Sequence, residues 1–209
     1  MVWKSAESAP RTALGVFHLL VTIGGLVLSA DSPVAAQIDG SIPDGRLTSG
    51  KLSFEGHATV GDFVGTTTSV SGQLRGGPDI ARVQGWVEAP VQTLTTGNGK
   101  RDKDLNKSME STKYPDIRFK LTGVATNDGK ADSLEATLHG KLLIHGVTRT
   151  VALPATVQFR GSEARIRTDF PLSLKDYRIG GLSKMLGVLK MYDNIEVHVD
   201  VMFALGARS

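Results

Sequence analysis

From Ile195 to Leu205 the chain alternates without a break: Ile195, Val197, Val199, Val201, Phe203 and Leu205 fall on one side, with Glu196, His198 and Asp200 on the other. A period of two places successive side chains on opposite faces of an extended backbone, so this stretch predicts a long strand with one buried face. The same rule recurs upstream. Leu52, Phe54 and Ala58 oppose Ser53, Glu55, His57 and Thr59, and Ile117, Phe119 and Leu121 oppose Arg118, Lys120 and Thr122. Leu134, Ala136, Leu138, Leu142 and Ile144 oppose Glu135, Thr137, His139 and Lys141, and Ile166, Phe170, Leu172 and Leu174 oppose Arg165, Arg167 and Asp169. With residues 66–74, 80–89 and 147–159 the expectation is about eight strands.

Turn chemistry supports this punctuation. Asn127-Asp128-Gly129 and Gly76-Gly77-Pro78-Asp79 each sit between two apolar runs and predict tight hairpins. Two segments depart from period two. Residues 101–112 carry Leu105 and Met109 four apart, which predicts a short amphipathic helix capped by Asp102 and ended before Tyr114-Pro115. Residues 176–189 contain Gly180-Gly181 and then Leu182, Met185, Leu186 and Leu189, a loop with one or two apolar turns. Both are candidates to cap an opening.

The N-terminus reads as an address. Lys4 and Arg11 precede an apolar run from Ala13 to Leu28, and Val34-Ala35-Ala36 places small residues where signal peptidase requires them. Cleavage before Gln37 is expected, with residues 37–209 forming one domain in the periplasm. The alternative is a retained anchor, but the run is short for a bilayer span of about 20 residues and contains His18 and three glycines.

Several function classes lack their residues. There is no cysteine, which excludes disulfides, thiol catalysis and Cys-ligated zinc. The formal charge of +3 is dispersed, and even Lys100-Arg101-Asp102-Lys103-Asp104 interleaves acids with bases, unlike a nucleic-acid-binding stripe. His57, His139 and His198 fall on polar strand faces, His145 sits in a turn-like His-Gly, and no HExxH or Gly-x-Ser-x-Gly motif occurs in residues 37–209. No enzyme activity, metal or cofactor is expected.

An all-β chain of this kind resolves into a two-sheet sandwich or a closed barrel. Closure removes exposed edges, and eight strands leave room for one slender guest. The inward side chains so read include Leu52, Phe54, Val83, Val87, Ile117, Phe119, Leu121, Leu138, Leu142, Ile144, Phe159, Phe170, Ile195, Val197, Val199 and Phe203. Alternation alone does not distinguish a hollow barrel from a filled one, so a non-catalytic stress or interaction module with a packed core is the competing expectation. Arg101 and Lys103 are candidate headgroup contacts at the mouth.

Four stretches together resemble the YceI-like family of exported lipid-binding proteins. They are Phe54-Glu55-Gly56-His57 with Gly61-Asp62-Phe63-Val64-Gly65; Arg101-Asp102-Lys103-Asp104-Leu105 leading to Lys113-Tyr114-Pro115-Asp116-Ile117-Arg118-Phe119; residues 140–149 (GKLLIHGVTR) running into Val151-Ala152-Leu153-Pro154; and Phe170-Pro171-Leu172-Ser173-Leu174 with the last strand. The resemblance implies an eight-stranded antiparallel lipocalin-like barrel with a short helix and a capping loop, holding a polyisoprenoid or similar amphiphile. It transfers no catalytic constellation. The chain departs from the family in having Asp104 where His is common, and in its 176–189 segment. A homodimer remains open.

Overall fold

The computed structural model describes residues 41–59, 61–130, 133–180 and 192–206, with the backbone alone at 128–130. The expected signal segment and residues 181–189 of the second departing segment lie outside them. The described chain forms β1 (Gly45–Gly56), β2 (Phe63–Thr67), β3 (Ser71–Arg75), β4 (Gln84–Pro90), α1 (Gly99–Ser108), β5 (Asp116–Lys130), β6 (Ser133–Ile144), β7 (Val147–Arg160), β8 (Glu163–Ser173) and β9 (Asn194–Leu205).

All strand pairs are antiparallel. They run in the order β2-β1-β3-β4-β5-β6-β7-β8-β9, and β1 also pairs with β9 from Gly45↔Leu205 to Glu55↔Glu196. This last pairing closes the sheet into a barrel. On its other side β1 meets β3 at Gly45 and Arg46 and β2 from Leu52 to Gly56. β2 and β3 therefore share one position in the wall, which makes nine strands into an eight-position barrel.

The reading of 66–74 as one strand is corrected here. The Val70 N–H donates to the Thr68 carbonyl and the Ser69 N–H to Thr67 Oγ1, a local turn that breaks the strand in two. Residues 80–89 divide likewise: Asp79 accepts from the Arg82 N–H at 3.1 Å and caps a 3-10 turn, Ile80–Arg82, before β4 begins. The expected turn at Asn127-Asp128-Gly129 lies inside β5, where the register shifts between Thr126 and Gly129, and pairing continues out to Lys130↔Ser133. A bulge absorbs the turn-forming residues instead of ending the strand.

The helix starts earlier than expected. Asn98 is its cap, accepting from the Lys100 and Arg101 N–H groups at 3.1 Å each. Asp102 faces back to the preceding loop, accepting from the Thr96 N–H and hydroxyl and from the Thr95 hydroxyl. Those bonds, the Thr96 hydroxyl first, hold its carboxyl below the usual carboxylate range. Thr95 in turn bridges to Thr66 of β2, so the helix is tied across the barrel end.

Candidate functional site: an apolar lumen

The wall's inward register encloses a cavity of about 190 Å³. Leu52, Phe54, Val83, Val87, Ile117, Phe119, Leu121, Leu138, Leu142, Ile144, Phe159, Phe170, Ile195, Val197, Val199 and Phe203 all line it. Strand alternation brings these residues together from seven strands and the Val83 junction. Arg101 and Lys103 are not among the lining residues: the Arg101 guanidinium stacks over the Phe63 ring at 4.4 Å, and Lys103 is exposed.

Inward residues divide into two kinds. Phe203, Leu134 and Val157 are buried, Phe203 completely so, while Leu52, Val87, Phe119, Phe159, Ile166 and Val199 face inward and yet remain only half-buried. An inward side chain that keeps exposed surface borders empty space. Adjacent pairs such as Leu52↔Val199 and Val87↔Phe119 carry that surface from strand to strand. Apolar protein cavities of about 150 Å³ stay dry and accept hydrocarbon guests.

The lining is almost free of polar side chains. Glu88 borders the cavity from the other register of β4, where its carboxylate is engaged by Arg118 of β5, itself 5.7 Å from the Trp86 ring centroid. Thr168 of β8 is the remaining hydrogen-bonding aliphatic residue in the lining.

Close packing at the wall depends on glycine. Phe54 lies opposite Gly65, where an added Cβ would stand 2.1 Å from the ring. The β6–β7 hairpin turns on His145 and Gly146, with φ of 50° and 72°. Two residues at positive φ suit the tight turn that matches strand twist.

One end of the lumen is roofed by Leu94, Leu105 and Met109. Leu105 of α1 and Met109 at its C-cap carried a four-residue spacing that marked them as one face; Leu94, Ile42, Val70 and Ile179 also line the cavity and carried no such pattern. The buried His145 ring stands between Tyr177 and Glu110: Nδ1 is 3.1 Å from the Tyr177 carbonyl oxygen, and Nε2 is 3.3 Å from Glu110 Oε1. It joins the residues just after α1 to the 3-10 turn Leu174–Tyr177. Burial pushes the Tyr177 phenol above its ordinary range.

The other described histidines lie outside. His57 Nδ1 pairs with Asp62 at 2.8 Å, His198 Nδ1 with Asp169 at 2.6 Å, and His139 is exposed. Among the described residues no group of three or more His, Cys, Asp or Glu could hold a metal ion, and no helix is long and apolar enough to cross a membrane.

Comparison with known proteins agrees with this geometry. The family model described as a YceI-like domain matches residues 46–203, which is the barrel from β1 to β9. The chain belongs to the YceI-like family. It is 26% identical over 183 residues to a UPF0312 protein of Pseudomonas savastanoi pv. phaseolicola, covering 84% of this chain and 88% of the relative. A UPF0312 protein of Pseudomonas putida F1 is 28% identical over 176 residues, covering 77% and 85%. Among solved structures, Burkholderia cenocepacia BcnA superposes with a TM-score of 0.63 at 18% identity, covering 73% of this chain and 95% of that one. A polyisoprenoid binding domain from Saccharophagus degradans, implicated in plant cell wall breakdown, gives 0.65 at 12% identity, covering 78% and 99%. At these identities the likeness is one of fold.

Proposed function

We propose that this YceI-like protein is an exported carrier that holds a long apolar amphiphile in its barrel, for transport, storage or sequestration. The observation that carries this reading is the cavity of about 190 Å³ enclosed by aliphatic and aromatic side chains. Each methylene moved from water into such a lining contributes about 0.8 kcal/mol. About ten of them supply roughly 8 kcal/mol against the cost of association, without any polar anchor. The ligand class is a polyisoprenoid, a quinone-like molecule or a fatty amide. The Saccharophagus degradans domain, named for polyisoprenoid binding and alike in fold, supports that class.

The protein acts by binding, not by catalysis. The Lys4–Arg11 basic region, the apolar run and Val34-Ala35-Ala36 support export to the periplasm and cleavage before Gln37. Native mass spectrometry of protein purified from its own host, followed by lipid extraction, is the test. A uniform apolar adduct is expected, on a chain beginning at Gln37. Protein that is consistently empty, and that takes up neither isoprenoids nor fatty amides when offered, would show the barrel to be a ligand-free module.

A further inference from the structure

Among the described residues, the seam between β7 and β8 is closed along only part of its length. Five pairs, from Thr156↔Arg167 to Arg160↔Glu163, join the two strands, whereas β7 begins at Val147 and β8 continues to Ser173. Pro154 of β7 and Pro171 of β8 lie in the unpaired parts while keeping Thr137 and Glu196 as partners on their far sides. A proline has no N–H to give a ladder and is tolerated where a strand is an edge, so each residue makes its strand an edge at this seam.

Arg149 spans the far end of the gap. Its Nε donates to the Asp176 carbonyl oxygen at 2.8 Å, and its guanidinium lies 3.2 Å from Asp176 Oδ1. Between that clasp and the last ladder pair is a cleft of about 510 Å³. Leu142, Leu153, Phe170 and Leu172 line both this cleft and the lumen, so the two spaces share a wall.

Thr168 is the first β8 residue past the ladder. It lines the lumen at 6% exposure, and its Oγ1 has no hydrogen-bond partner. A buried hydroxyl without a partner costs stability, so its presence in an otherwise greasy lining points to a partner supplied from outside the chain.

We propose that the polar end of the amphiphile sits in the lumen at the inner side of the β7–β8 window, hydrogen-bonded to Thr168, while the tail lies along the rest of the lumen. The head is uncharged: an alcohol, an amide or a quinone-type carbonyl. Arg149 is already paired with Asp176, and the exposed strand edges offer N–H and C=O groups, not net charge. This inference rests on the carrier reading and adds the orientation and head chemistry of the ligand.

Equilibrium binding of geranylgeraniol, and of phytane as a hydrocarbon of the same chain length without a polar end, tests it on the full chain, Thr168→Val and Thr168→Ser. Thr168→Val is expected to weaken geranylgeraniol about tenfold, the worth of one buried hydrogen bond, and to leave phytane unchanged. Thr168→Ser keeps the hydroxyl and is expected to retain geranylgeraniol. Equal losses for both probes, or no loss for either, overturn the window and leave the carrier reading standing. Tighter binding of geranylgeranyl phosphate than of the alcohol overturns the uncharged head. Failure of the unaltered protein to bind any of the three overturns both readings.

Discussion

Replacing Val199 with alanine removes two methyl groups from an inward side chain of β9 that is only half-buried, with Leu52 beside it on β1 and Thr168 beside it on β8. In a dry core the loss would be about 1.6 kcal/mol of transfer free energy plus a cavity term, and such truncations reach 2 kcal/mol and more. At Val199 the methyls already border a void, so few packing contacts are forfeited. The ligand-free variant should therefore lose less than about 1 kcal/mol, a fall in Tm of at most about 2–4 °C for a domain of this size. With a hydrocarbon tail in the lumen the same two methyls have a partner, and their loss should weaken binding by about 1.6 kcal/mol, roughly fifteenfold. Phe203→Ala is the contrast: its side chain is fully buried, and its removal should cost about 3–5 kcal/mol with or without ligand. Urea unfolding of the ligand-free proteins and titration with geranylgeraniol read both quantities. If Val199→Ala lost 2 kcal/mol or more when ligand-free and bound the probe as before, the lumen would be a packed core and the reasoning would fail.

Three further outcomes follow from local geometry. Gly65→Ala puts a Cβ 2.1 Å from the Phe54 ring, so the ring must leave its position and urea unfolding should show a loss of about 1–3 kcal/mol. Asn98→Ala removes the α1 cap, which should cost about 1 kcal/mol by the same measure and loosen Leu105 and Met109 over the lumen. The Arg165 guanidinium, bonded to Asp200 at 2.8 Å, holds that carboxyl below its ordinary range. A depressed pKa contributes stability that is present above the unfolded value, near 3.9, and is lost as pH falls through the folded one. Asp200→Asn should therefore flatten the decline of Tm below about pH 4, and an unchanged acid limb would refute the assignment. The effect is small because both side chains are partly exposed.

The strand faces were legible because alternation is a local property: a residue's side of the sheet follows from its own backbone and that of its neighbours. This is why Ile195, Val197, Val199 and Phe203 could be placed before any partner strand was known. Local reading faltered where a side chain took over a backbone hydrogen bond, as Thr67 does for Ser69 and Asp79 for Arg82, since either segment remains apolar enough for a continuous strand. The stacking of Arg101 on Phe63 was not legible in the same way, because the two are distant in sequence and meet only through the folded chain.

Alternation, turn residues and the ordered motifs were enough by themselves to determine an all-β chain, its inward faces and its family. Whether those faces meet around a solid core or a vacant lumen was decided by the closed wall, because the space left inside depends on strand number, tilt and stagger together with side-chain volume. Pro154 and Pro171 each withhold an N–H, which leaves their strand an edge on one side. Only the barrel revealed that the two edges face the same seam, because which strands become neighbours is a property of the whole sheet.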